Sequence, residues 1–255
     1  MVKLLEHIST NWLWELSFIF ARILAAIMIC PLFSSNYLSK LLRTSISLMF
    51  TFILFPHFSQ IPISNNVLLN MILLISNFLY GSLLGYFISL PIYLVESCGN
   101  IIDMQRGEQL GALINQLTGT PSSSIGKLLV KTFTIYFVLN QGFLFFFDII
   151  LNSFEFVPIN SLFPILSAKL VHSYIYFFCN YLYWVVVLII PIIIALLLID
   201  LVLSLISSFI PQMNVTVVSM PIKSISALLI LSIYIGSILH NVFIKYLAQL
   251  KSILF

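Results

Sequence analysis

Glu96, Asp103, Arg106 and Glu108 lie in one stretch, ESCGNIIDMQRGEQLGALINQLTGTPSSSIGK, from Glu96 to Lys127, of a chain in which only 7% of residues are charged. If the first half is helical, Glu96, Asn100, Asp103 and Arg106 or Gly107 recur at i, i+4, i+7 and i+10 or i+11, one stripe along a helix. Asp103 and Arg106, three apart, are then within reach of each other. In apolar surroundings such a pair lowers the desolvation cost that each charge would carry alone, and it turns toward a bundle interior or a water-filled cavity. The same stretch holds five of the nine glycines: Gly99, Gly107, Gly111, Gly119 and Gly126. Gly107 and Gly111, four apart, permit close backbone approach or a break in the helix. From Thr118 the run TGTPSSS predicts a loop, because Pro121 biases its predecessor away from helix. By composition alone, an ordinary inter-helix loop with a solvated charge pair fits this stretch as well as a lined cavity does.

Other chemistries lack the residues they need. His7, His57, His172 and His240 are scattered and form no HExxH, and Cys30, Cys98 and Cys179 form no CxxC, so neither a metal site nor a disulfide framework is expected. Gly126-Lys127 is followed by leucine, not Ser or Thr, and Ser122 to Ser124 lie in no GxSxG; a nucleotide loop and a nucleophile elbow are both missing. The expectation is a non-enzyme without cofactor. A net charge of +3, dispersed along the chain, gives no nucleic-acid footprint. Asp200, deep in an apolar run, has the position of a proton relay; hydrogen bonding near Ser204 and Ser207 or to a neighbour is the reading favoured.

The elements that would position these residues are apolar. At 61% hydrophobic residues and a mean hydropathy of +1.13, the chain reads as an integral membrane protein. Trp12 to Cys30 is long enough to cross the hydrocarbon, with Trp12 and Trp14 as interfacial anchors. Its Arg22 needs a partner, for which Glu15 on the same face or a neighbouring subunit is expected. Thr44 to Phe55 is short for a span. Val67 to Val95 contains Gly81 and Gly85, a GxxxG suited to close helix contact, and Pro91 predicts a kink near its end. Leu128 to Leu151 follows, then Leu170 to Ile210, one kinked helix or two about Pro191. A break is expected from Ser208 to Lys223, and a last helix from Ser224 to about Val242. The N-terminus shows no basic region or small-residue cleavage site, so it is read as mature chain.

The run Gly99-Asn100-Ile101-Ile102-Asp103-Met104-Gln105-Arg106-Gly107, with the later Pro211-Gln212-Met213-Asn214-Val215 and Pro221-Ile222-Lys223, resembles the type III protein-export family that includes flagellar FliR and injectisome SctT, also called SpaR or YscT. Arg22, Pro31 and Pro56 also fit. The resemblance implies an all-α, multi-helix membrane-type protein with kinked helices. Residues 1–167 would be similar to the SctR/FliP-type subunit and would carry the plug-like stretch 96–127. Residues 168–255 would form a helical hairpin similar to the SctS/FliQ-type subunit. Length and absence of long termini lead toward an injectisome.

The resemblance further implies a single-copy component of the export gate in the bacterial inner membrane, within the base of a secretion apparatus, forming and sealing the entrance pore for unfolded secreted proteins. Its partners would be SctR-like and SctS-like gate subunits, an SctU-like switch protein and an SctV-like export protein. Plug and gate residues would be Asp103, Arg106, Gly107, Glu108, Gln109, Gly111, Asn115, Gln116 and Gly119. Partner contacts would fall on Arg22, Gly81, Gly85, Pro211, Gln212, Asn214 and Lys223. The rival reading is a stand-alone secondary transporter of a small solute, with Glu96, Asp103 and Asp200 holding a coupling ion.

Overall fold

The protein is all-α. A computed structural model describes residues 2–34, 37–58, 66–108, 123–161, 168–209 and 215–254. Among them are seven α-helices: α1 (Val2–Ile29), α2 (Lys40–Phe58), α3 (Val67–Gln105), α4 (Ser124–Leu139), α5 (Gly142–Phe156), α6 (Ala168–Phe209) and α7 (Val215–Leu254). A single 3-10 turn, Pro31–Phe33, follows α1 with its proline in first position, where the missing N–H costs nothing. Four segments are long and apolar enough to cross a membrane: Trp12–Ile29, Val67–Gln105, Tyr174–Phe209 and Val218–Ile244.

Four prolines lie inside described helices, positions where the sequence pattern suggests a kink, a break or an end. Pro56 sits within α2, Pro91 within α3, Pro191 within α6 and Pro221 within α7. Of the expected run from Leu170, the described part to Phe209 is one helix, and the last helix begins at Val215 rather than Ser224. A proline forfeits one backbone hydrogen bond, whereas ending a helix in apolar surroundings orphans four carbonyls and four N–H groups. Continuing the helix is the cheaper solution.

The described chain forms two compact units, neither of them one contiguous stretch. The first comprises Met1–Leu90, Gln141–Tyr174 and Leu254–Phe255; the second comprises Pro91–Asn140 and Ile175–Ile253. In the first, α1 packs on α2, with Trp12 edge-on to Phe55 at 5.4 Å, while Phe33 meets Phe146 of α5 at 5.2 Å. The start of α3 crosses α1 at its glycines. A Cβ on Gly85 would lie 2.6 Å from the Ala26 carbonyl oxygen, and one on Gly81 would overlap the backbone of Arg22. The GxxxG therefore serves contact between two helices of the same chain.

That approach buries Arg22 at 1% exposure. Its Nε and one terminal nitrogen donate to Asn77 Oδ1 at 3.1 and 2.6 Å, and the other terminal nitrogen donates to the Ser153 and Val157 carbonyls at 3.1 and 3.0 Å. The guanidinium also lies over the rings of Phe154, 4.4 Å from its centroid, and Tyr80, at 4.9 Å. Glu15 is not its partner: the acceptors on Arg22 are neutral oxygens. Two of them are carbonyls at the C-terminal end of α5, the negative end of that helix, so the buried cation meets an oriented dipole and π faces instead of a carboxylate. Asn77 is fixed in turn, its amide donating to the Leu73 and Ile159 carbonyls at 2.9 and 3.0 Å. Arg22, Gly81 and Gly85, expected at a surface for partner subunits, are occupied within the chain.

Arg22→Ala is expected to destabilise the protein by about 3 kcal/mol or more, since it takes the guanidinium from the buried Asn77 amide oxygen and the Val157 carbonyl, while the Ser153 carbonyl keeps only the Val157 N–H. Arg22→Lys should rescue little, because one ammonium cannot span acceptors that need a planar fork. Thermal unfolding of the detergent-solubilised protein, read for the three chains side by side, checks both.

Candidate functional site

The second unit holds the acidic and basic residues of the central stretch. The α3 helix ends at Gln105 because Gly107 takes a φ of +88°, a left-handed conformation that glycine adopts without strain. The turn is closed by the Arg106 N–H on the Ile102 carbonyl, at 3.1 Å, and the Gly107 N–H on the Met104 carbonyl, at 3.1 Å. It folds the Arg106 side chain back along the helix, where Nε pairs with Asp103 Oδ1 at 2.7 Å. The terminal nitrogen of Arg106 reaches the Glu108 carboxylate.

On the other side stands the start of α4. Ser123 is its N-cap, accepting from the Gly126 N–H at 2.7 Å, the usual way to satisfy a first-turn donor. Asp103 joins this cap. Its Oδ2 accepts from the Ile125 N–H at 2.9 Å and from the Ser123 hydroxyl, so the carboxylate sits at the positive end of the α4 dipole. Ser124 Oγ donates to Glu108 Oε1 at 2.5 Å. Close packing makes this possible: a Cβ on Gly99 would lie 2.6 Å from the Gly126 nitrogen.

The outcome is an ionic clamp of Asp103, Arg106, Glu108, Ser123 and Ser124 that joins the two ends of segment 109–122. Asp103 is 3% exposed, and its charge is offset by one guanidinium and one helix terminus. Burial by itself pushes the Glu108 carboxyl up, but hydrogen bonds from Ser124 and Arg106 outweigh it and hold the group below its ordinary value. The expected i, i+3 pair is present. The expected single stripe divides, however: Glu96 and Asn100 are exposed while Asp103 points inward.

Lys223 of α7 adds a third element. Its ammonium pairs with Asp200 of α6 at 2.5 Å and donates to the carbonyl of Gln105, the last residue of α3, at 3.2 Å. Beside it, a Cβ placed on Gly107 would meet the Met220 side chain at 3.5 Å. Ser204 and Ser207 bond to carbonyls of their own helix, so Asp200 has a lysine as neighbour in place of those serines. The pairing had one trace in the sequence: Asp200 and Lys223 stand almost equally far from Gln212 on either side, as two facing residues of a hairpin turning there would. Gln109, Gly111, Asn115, Gln116, Gly119, Pro211, Gln212 and Asn214 lie outside the described residues. Among the described residues no three His, Cys, Asp or Glu side chains converge as metal ligands.

The pattern that defines the bacterial export proteins, family 1, matches residues 13–249. The chain belongs to that family. It is 32% identical to Yop proteins translocation protein T of Yersinia pestis over 215 residues, 84% of this chain and 82% of the relative. It is 28% identical to the surface presentation of antigens protein SpaR of Salmonella typhimurium, over 87% of this chain and 83% of the relative. With the flagellar biosynthetic protein FliR of Bacillus subtilis the identity is 25%, over 92% of this chain and 93% of the relative. The type III and flagellar resemblance carried by the GNIIDMQRG and PQMNV runs is therefore genuine. In this export protein the first of those runs builds the clamp.

Asp103→Ala should expose the Ile125 amide. Loss of a charge-assisted bond worth about 1.5–3 kcal/mol corresponds to exchange faster by roughly 10- to 100-fold, measurable by hydrogen exchange at the start of α4. The Glu108 contribution has the opposite pH sense to a raised group. It is fully present above the ordinary carboxylate value of about 4.3 and is lost as pH falls through the lower folded value. Protection at Ser124, whose side chain Glu108 holds, should accordingly fall in acid, and Glu108→Gln should reduce that pH dependence.

Proposed function

We propose that this protein is a single-copy component of a type III export gate in the bacterial inner membrane, and that it forms and seals the entrance pore for unfolded secreted proteins. The observation that carries the reading is the clamp. Segment 109–122 contains Gly111 and Gly119, Gln109, Asn115 and Gln116, and its two ends are fastened by Asp103, Arg106, Glu108, Ser123 and Ser124. A polar, glycine-bearing segment fastened at both ends suits a plug, because polar residues at membrane depth are tolerated where they face protein or a water-filled cavity.

Several features agree with an injectisome assembly. Identity is 32% to the Yop translocation protein and 25% to the flagellar one. The α6–α7 hairpin within residues 168–255 would correspond to an SctS-like subunit and residues 1–167 to an SctR-like one. The exposed apolar faces of α2 and α6, including Phe52, Ile53, Leu197 and Leu201, are surfaces that lipid or such subunits would cover. Pro211, Gln212 and Asn214 would face an SctU-like switch protein, with an SctV-like export protein and the unfolded cargo nearby. The transporter reading loses support at two of its three acids, since Asp103 and Asp200 are each already held by a cation.

Arg106→Ala and, separately, deletion of Leu110 to Leu117 are expected to raise the resting ion conductance of the assembled apparatus in the inner membrane. Native-like conductance and native-like secretion in both strains would overturn the plug reading.

A further inference from the structure

We infer that Lys223 is a positioning residue that couples the α6–α7 hairpin to the base of segment 109–122. The inference rests on the gate reading above and names the contact through which the hairpin would set the state of that gate. Lys223 is half-hidden, with 12% of its side chain exposed, and it spends its charge on two partners that belong to different elements. The ion pair to Asp200, at 2.5 Å, lies within the hairpin. The bond to the Gln105 carbonyl, at 3.2 Å, leaves the hairpin for the end of α3.

The position of that second bond matters. Gln105 is flanked by the residues that build the clamp, Asp103 on one side and Arg106 and Gly107 on the other, and a carbonyl in the last turn of a helix has no partner within the helix. An ammonium there satisfies the orphan oxygen and meets the negative end of the α3 dipole. Gly107, whose left-handed φ turns Arg106 back onto Asp103, has the Met220 side chain as its neighbour, one turn before Lys223 on α7. A shift of α6 and α7 together by one turn past the end of α3, about 5.4 Å, breaks the hydrogen bond and removes the support behind Gly107 in the same movement. Asp200 supplies the alternative: with Lys223 held by Asp200 alone, the hairpin stays intact while the clamp loses its tether. The two bonds have separable roles, one internal to the hairpin and one transmitting its position.

Charge variants in the whole assembled apparatus test this. Lys223→Met should raise the resting ion conductance at least tenfold, and Lys223→Arg, which keeps a long cationic donor, should restore sealing. The exchange Asp200→Lys with Lys223→Asp rebuilds the pair across the hairpin but puts no ammonium on the Gln105 carbonyl. It should assemble to native abundance and still leak. A double exchange that seals like the native chain would show that only the hairpin pair matters and would overturn the inference, as would native-like sealing by Lys223→Met. Deletion of Leu110 to Leu117 separates the two readings. If the deletion leaks while the exchanged chain seals, the coupling fails and the plug stands; if the deletion does not leak, the plug itself fails.

Discussion

The carboxylate of Asp103 is the interaction on which the second unit depends, because three donors from three features of the chain have to be met by two oxygens in an almost dry setting. Arg106, the Ser123 hydroxyl and the Ile125 amide converge on it, and each of them belongs to a different feature of the chain: the turn after α3, the cap of α4 and its first turn. An isolated carboxylate buried to this extent would cost several kcal/mol. Compensation by a guanidinium and a helix terminus makes the charge tolerable, and it also fixes the geometry: Asp103 can be satisfied only while the end of α3 and the start of α4 stay together. The fastening of segment 109–122 is thus a consequence of charge burial.

The same economy recurs in the first unit with the sign reversed. Arg22 is a buried cation among apolar helices, and its compensation comes from Asn77, the carbonyls that end α5 and two aromatic faces. In both places a helix end does part of the work of a counter-ion. A chain with few charged residues has few side chains to spare for pairing, whereas every helix carries two termini whose polar groups need partners in any case. Lys223 on the last carbonyl of α3 follows the same rule.

Close approach is the condition common to these sites. Gly81 and Gly85 bring α3 against α1 where Arg22 must reach Asn77, and Gly99 meets Gly126 where Asp103 must reach the α4 cap. Without a Cβ at those crossings the helix axes come near enough for short polar side chains to bridge them. Apolar burial alone would leave the helices free to rotate about their axes; the buried polar contacts select one orientation.

Much of this was legible in the residues. The apolar runs fixed the all-α class, the Asp103–Arg106 spacing fixed their pairing on one helix face, and the GxxxG of α3 marked a close crossing, since each depends on neighbours along the chain. Pro221 misled and Pro191 left one helix or two open, because a proline is a local helix-breaking signal and the cost of orphaned backbone groups in apolar surroundings is a tertiary one. Glu15 was the natural partner for Arg22 by sequence distance, yet the folded chain offers Asn77 and the end of α5 instead. Asp200 and Lys223, Asp103 and Ser123, and Arg22 and Val157 are pairs distant in sequence. Periodicity says which face of a helix is apolar, but which carbonyl or carboxylate stands opposite a given charge depends on the crossing of two helices, and only the tertiary structure decides that.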